Sequence, residues 1–329
     1  MNRFFKLSLT VAAAALTLGA QAADYPAAGK TITIVVPFAA GGPTDKVARD
    51  LAEALRKPLG GATVVIDNAA GAGSTIGTAK VFRANPDGYT LLVTHIGIAT
   101  TPALYRKLPY KVDEFEFAGL INEVPMVVVG KPSLAANNWG ELKTWLVENK
   151  GKANLANAGL GAASHLCGLM LMQALQTELT TVPYKGTAPA MTDLIGGQVD
   201  LMCDQTTNTT SQIEGKKIKA YAMSTAKRVT TPAIYKDLPT LDEAGLKDFN
   251  VSIWHGLYAP KGTPAAVVKT LNDALKVALK DPEFIKKEEG LGAVVVTDGR
   301  VNPAEHKKFV ASEVAKWGAV IKAAGQYAD

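Results

Sequence analysis

Four stretches of small residues could let a backbone grip an anion: FAAGGPTD at 38–45, NAAGAGST at 68–75, NAGLGAAS at 157–164 and YKGTAP at 184–189. Each falls between a run patterned as a strand and a run patterned as a helix. The first turn of a helix carries backbone N–H groups with no partner inside the helix. The helix dipole adds partial positive charge at the same place. Small residues let a ligand approach those amides, and Ser or Thr adds a hydroxyl. A carboxylate or a phosphate is the natural guest. Pro43 and Pro189 suit a first helical position, where a missing N–H costs little. One such turn alone can be no more than a tight turn. Four at helix starts favour ligand binding, because open α/β sheets hold ligands beyond their strand ends.

Machinery to change a bound acid chemically is thin. Gly71, Gly73 and Gly77 have the wrong last spacing for a dinucleotide fingerprint, and no turn ends in Gly-Lys-Ser or Gly-Lys-Thr, so there is no P-loop. His95, His165, His255 and His306 show no HExxH spacing, and neither Cys167 nor Cys203 has a CxxC partner. A zinc site is therefore not expected, and neither is any cofactor. No GxSxG elbow is present. Ser164 and His165 are adjacent, which does not place a nucleophile and a base on one helix face. His165 is expected to cap, pack or bind ligand, and His306 reads as a surface residue of a C-terminal helix. Asp45 reads as structural in the first turn of its helix, with a cleft role as the alternative. Asp204 follows a strand predicted at 199–202 and is either a turn acid or a cleft acid. In the cleft it would repel carboxylates unless it met an amino group, a hydroxyl or a water.

These turns need a frame. The pattern predicts strands at 31–36, 62–66, 89–94, 117–120 and 124–129, with helices built on Val47, Leu51 and Leu55 and over 74–83. The alternation then restarts. Helices are predicted at 139–147, 164–175 and 189–195, and strands at 153–156, 179–182, 199–202, 218–223 and 251–258. Asn138 is a plausible N-cap. Residues 227–246 read as loop, and long amphipathic helices are predicted at 264–278 and 303–324, returning to cover the first run. Alternating strands and helices imply parallel-rich sheets of an α/β protein. The change at 124–131 suggests two lobes, 23–130 with 226–329 and 131–225.

A chain of 329 residues allows one large domain or two ordinary ones. Its 47% hydrophobic and 20% charged residues fit a globular protein with a full core. A net charge of +5 without a run of five like charges, and 7% aromatic residues, exclude a nucleic-acid platform. At the start, Arg3 and Lys6 precede an apolar run over 7–19 and then Ala20, Gln21 and Ala22. This is the pattern of a secretory signal cleaved after Ala22. It predicts a soluble exported protein, periplasmic in a Gram-negative cell. In an oxidising compartment Cys167 and Cys203 are either bridged or two buried thiols.

Taken together, several motifs in order resemble the periplasmic solute receptors of tripartite tricarboxylate transporters, the Bug-type receptors. They are 36–45 and 68–77, Ser164-His165-Leu166, Val182 through Gly186, Gly197 through Asp200, and Trp254 through Leu257 leading to Ala259 through Pro264. The resemblance covers essentially the whole mature chain. It implies a two-lobed type II periplasmic-binding-protein fold with the ligand cleft between lobes, and a monomer. It implies that the cleft closes on a small mono- or dicarboxylate, aromatic acids included, and that the protein docks to a two-subunit membrane permease. Carried onto this chain, it points to Phe38, Ala39, Gly41 and Gly42, with Ala72 and Thr94 beside them. Ala163, Ser164 and His165 would face them, with Asp204 at the rim. Phe38, Tyr184 and Trp254 could line the slot, Trp254 with core packing as its alternative. The rival functions are a sensor subunit that signals through a membrane partner, and an exported hydrolase using Ser164 or His165.

Overall fold

The computed structural model describes residues 25–323, 325 and 327; the expected signal segment and the cleavage expected after Ala22 fall outside the described residues. Two β-sheets share one long strand. In the first sheet, β1 (Ile32–Val36) lies between β2 (Val64–Asn68) and β3 (Thr90–His95), parallel to both. β9 (Ser252–Ala259) then pairs antiparallel with β3 and with β4 (Glu116–Gly130). The short β10 (Val294–Val295) pairs with β4 at Asn122 and Glu123. Beyond Pro125 the same β4 enters the second sheet. There it lies between β7 (Leu201–Gln205) and β8 (Lys219–Met223), antiparallel to both. β5 (Asn154–Asn157) joins β7 to β6 (Thr180–Pro183) in parallel.

Helices cover these sheets for the reason their periodicity gives. In α1 (Pro43–Arg56), Val47, Leu51 and Leu55 recur every four residues, and all are buried. α10 (Pro303–Ala323) packs on β4 and on α3 (Gly97–Leu104), burying Val310, Trp317 and Ile321. α8 (Ala265–Ala278) packs on β4 and α1. The C-terminal helices thus return to the first sheet, as expected. Asn138 caps α4 (Trp139–Glu148) by accepting the Glu141 amide at 3.0 Å, and its Nδ2 donates back to the Glu141 carboxylate.

Several local expectations are corrected. The strands predicted at 117–120 and 124–129 are one strand, because the polar Asn122 between them is buried and donates to Glu288 at 2.6 Å. α3, α7 (Thr206–Glu214) and α9 (Pro282–Gly290) were not anticipated. α7 opens with Thr206, Thr207, Asn208, Thr209 and Thr210, residues of poor helix propensity. Tertiary contacts decide instead, since Thr209 and Thr210 both meet the Tyr235 hydroxyl. Pro189 is not at a first helical position, because α6 (Thr187–Ile195) begins two residues earlier. Asp204 lies inside β7 rather than after a strand. His306 is fully buried, not at the surface; its ring sits at 3.2 Å from the Tyr258 hydroxyl and packs over Gly256.

Candidate functional site

Four helix starts meet at one closed cavity between the two sheets. Gly42, Pro43 and Thr44 come from the start of α1, and Ala163 and Ser164 from the start of α5 (Ala163–Leu175). Thr187 opens α6, and Asp204 and Gln205 lead into α7. Phe38, His95 and Ala158 complete the wall. The cavity has a volume of about 10 Å³. That is room for about one water, so the lobes are shut on each other. Each helix start leaves its first amides without an intrahelical partner. Their dipoles add at the same point, which makes the cavity favourable to negative charge.

The lobes are held closed by donors of the first lobe on main-chain carbonyls of the second. The Ala39 amide donates to Lys185 O at 3.1 Å. Thr100 Oγ1 donates to Gly161 O at 2.6 Å, the Tyr105 hydroxyl to Leu160 O at 3.0 Å, and Lys46 Nζ to Thr207 O at 3.0 Å. Gly73 faces the Leu160 carbonyl so closely that any Cβ would collide with it. Glycine is required there by close approach as well as by its φ of +57°.

Two of the expected backbone contacts are already in use. The Gly41 amide donates to Asp45 Oδ2 at 2.8 Å, so it is not free for a ligand. Asp45 also accepts from Arg49 Nε at 2.9 Å and from Asn68 Nδ2 at 2.9 Å. Burial would raise its pKa, but these hydrogen bonds outweigh it and hold the carboxyl below its ordinary value. Asp45 is therefore structural. The Ala39 amide is committed to lobe closure. Gly42 lines the cavity, and Phe38 lines it with its ring stacked on His95 at 4.5 Å between centroids.

In the second lobe, Ser164 Oγ accepts the Ala158 amide at 2.8 Å, and His165 Nδ1 accepts the Gly161 amide at 3.3 Å. Both side chains thus brace the turn that precedes α5. Neither is hydrogen-bonded to the other. Burial lowers His165 and His95 to about 4, which keeps both neutral. Burial pushes Asp204 up to about 7, against the pull of Asn208 at 2.6 Å, the Gln205 amide at 2.8 Å and the Lys46 charge. Thr187 also favours the charged form, although its hydroxyl has no partner in hydrogen-bond geometry. Gln205 Oε1 is buried without a partner as well. Cys167 and Cys203 form a disulfide, with Cα atoms 6.1 Å apart. It ties α5 to β7 one turn from Ser164 and next to Asp204.

Other expected residues fall elsewhere. Ala72 sits at the mouth between the lobes with Gly73, Leu160, Tyr184 and Lys185. Thr94 is buried on β3 and does not reach the cavity; its neighbour His95 does. Tyr184 lines the mouth and donates to Asp193 at 2.6 Å. Trp254 is core and donates to Glu313 at 3.0 Å. Sequence reasoning passed over Thr44, His95, Thr187 and Gln205 as site residues. Thr44 and Thr187 stand inside the small-residue turns, and Gln205 follows Asp204, so position at a strand end was the available signal.

The model of the family described as "Tripartite tricarboxylate transporter family receptor" matches residues 47–326. The chain belongs to that receptor family. It is 47% identical over 327 residues to the Agrobacterium vitis "UPF0065 protein in the TAR-I ttuE-ttuC' intergenic region", covering 99% of this chain and 92% of that protein. Among solved structures, the periplasmic binding protein BugD superposes with a TM-score of 0.87 at 52% identity, covering 90% of this chain and 98% of BugD. MatC (Rpa3494) of Rhodopseudomonas palustris with bound malate superposes at 0.84 and 37% identity, covering 90% of this chain and 100% of MatC. The receptor has the two-lobed α/β fold of periplasmic binding proteins, and its family consists of substrate-binding receptors rather than enzymes.

Proposed function

We propose that this protein is a periplasmic receptor that closes on a small organic carboxylate and delivers it to a two-subunit membrane permease. The observation that carries the reading is the convergence of four helix starts on one cavity between two lobes. The shut cavity has room for about one water, so an acid enters with the lobes parted, and its carboxylate then meets the first-turn amides of α1 and α5 directly or through one water. Phe38, Gly42, Ala163 and Ser164 form its immediate surroundings. The lobes are read as residues 23–130 with 226–329 and residues 131–225, closing about the crossing strand β4, which passes from the first sheet to the second beyond Pro125. The ligand supplies the differential energy for closure.

Asp204 and Gln205 add acceptors to the same space. They match an acid that carries a hydroxyl or ammonium group, or a second carboxyl that keeps its proton. Malate, seen in MatC, has this combination. The test is a thermal-shift screen of the mature protein with malate, citrate and an aromatic dicarboxylate. A ligand at a hundred times its Kd adds ~2.7 kcal/mol of stability. A shift with at least one acid, lost when Gly42 is changed to Trp, is expected. If no acid shifts the protein, the reading fails. Binding of the closed form to the isolated permease, and not to a histidine kinase ectodomain, separates uptake from sensing.

A further inference from the structure

A buried hydrogen-bonded chain leaves the cavity wall and runs across the first lobe. Thr44, at the cavity, has its hydroxyl 3.2 Å from His255 Nε2. His255 Nδ1 is 2.8 Å from Asn122 Oδ1, and Asn122 Nδ2 donates to Glu288 Oε2 at 2.6 Å. All four residues are at most 2% exposed. None of the other three touches the cavity, and the receptor function described above makes no use of them.

The direction of the chain follows from its far end. An ionised carboxylate only accepts, so Asn122 turns its Nδ2 to Glu288 and its Oδ1 to His255. His255 must then carry its proton on Nδ1, and its bare Nε2 accepts from the Thr44 hydroxyl. Thr44 is left with lone pairs toward the cavity. We propose that Glu288 sets, through Asn122 and His255, which end of the Thr44 hydroxyl faces the ligand, so that one proton taken up at Glu288 turns Thr44 from acceptor to donor and strengthens the hold on an acid. The last clause rests on the carboxylate reading of the cavity. In the reversed chain Glu288 Oε2–H donates to Asn122 Oδ1, the amide having turned by half a turn. Asn122 Nδ2 donates to His255 Nδ1, His255 Nε2–H donates to Thr44, and the Thr44 proton points into the cavity. One proton enters from solvent and resides on Glu288. His255 stays neutral: its Nδ1 proton leaves to water and another arrives from water at Nε2 as the site transiently opens, so the net uptake is the one proton on Glu288.

The surroundings place this proton uptake near neutral pH. Burial raises Glu288 to about 7 against the Asn122 hydrogen bond; Asp50 on α1 raises it and Lys287 on α9 lowers it. Asp50 and Lys287 pair with each other at 3.1 Å. From β9, His255 is kept neutral by burial and by the neighbouring His95. Asp204 titrates in the same range from inside the cavity, so a pH profile of binding alone does not isolate Glu288.

The deciding experiment is side-chain 15N NMR of His255 in the unliganded mature protein from pH 5.5 to 8.5, with the Glu288 carboxyl followed in parallel. The Nδ1–H tautomer is expected at high pH and the Nε2–H tautomer at low pH, with the Glu288 midpoint. Asp204→Asn should keep this switch and Glu288→Gln should abolish it. A His255 that keeps one tautomer while Glu288 titrates would overturn the proposal, because the proton would then sit on the oxygen facing away from Asn122. A switch that persists in Glu288→Gln would overturn it as well. In malate titrations, the parent should gain affinity between pH 8 and pH 6, and Glu288→Gln should reduce that gain by roughly three- to tenfold; an unchanged gain would overturn the effect on the ligand. Absence of malate binding at every pH would count against the ligand assignment and leave the relay to be judged on His255.

Discussion

The turn before α1 and the turn before α5 look alike in sequence and are built differently. Both are small-residue turns that end at a helix start on the same cavity. In the first, a charged residue from inside the helix, Asp45, reaches back to take the Gly41 amide and is itself held by Arg49 and Asn68. In the second, neutral side chains do this work. Asn157 takes the Gly159 amide, Ser164 the Ala158 amide and His165 the Gly161 amide. A disulfide then fixes α5 to β7. The glycine-rich loops therefore bind themselves, and the amides left for a ligand are those of the helix first turns. The difference also separates charge from neutrality. The carboxylate of the first turn is turned away from the cavity, while the second turn leaves the neighbouring Asp204 as the acid at the wall.

This contrast can be tested by removing each brace. Replacing Cys167 and Cys203 together by Ala should have the largest effect. Losing a bridge across 36 residues of sequence should lower the unfolding free energy by ~4 kcal/mol, measured by urea denaturation. Asp45→Ala should come next. It strands the Gly41 amide and takes from Asn68 Nδ2 one of its two acceptors, the other being Phe38 O at 3.1 Å, and should cost about 2–3 kcal/mol. Arg49, more than half exposed, should contribute little to that loss. Ser164→Ala leaves one buried amide unpaired and should cost about 1–2 kcal/mol, with affinity for the acid reduced because the α5 start shifts. If Asp45→Ala proved harmless while Ser164→Ala was severe, the first turn would be stabilised by something other than its carboxylate.

The smallest effect is in the pH dependence. His165 is held near 4 in the folded protein, below its ordinary value of 6.5. Between those values the unfolded chain binds more protons than the folded one, so stability falls as pH falls. His165→Asn should remove that share, on the order of 1 kcal/mol between pH 7 and pH 5.5. Asp204 and Glu288 act oppositely. Their folded values, about 7, lie above the unfolded ones, so their contribution is present at low pH and is lost as pH rises through 7. A steeper acid limb in His165→Asn than in the parent would contradict the neutral brace.

Much of the site was legible because its signals are local. Gly, Pro and small residues at strand ends mark the turns around Gly42 and Ala163 whatever the rest of the chain does. The strand and helix alternation was legible for the same reason. What stayed hidden depends on partners far away in sequence. The Thr-rich start of α7 becomes a helix only against Tyr235. His306 is buried only because Gly256 and Tyr258 receive it. Gly41 looked like an anion ligand because nothing in the turn itself says that Asp45, four residues on, turns back to it. Asp204 was visible as an acid at a strand end, but its burial needed Asn208 and the closed lobes.

The most direct test is a crystal structure of the mature protein with the acid that gives the largest thermal shift. The carboxylate should lie within about 3 Å of the first-turn amides of α1 and α5, or one bridging water away, while Gly41 remains bonded to Asp45. An acid seated instead in the groove between α3 and α10, against Pro102, Tyr110, Val310 and Val314, would contradict the account.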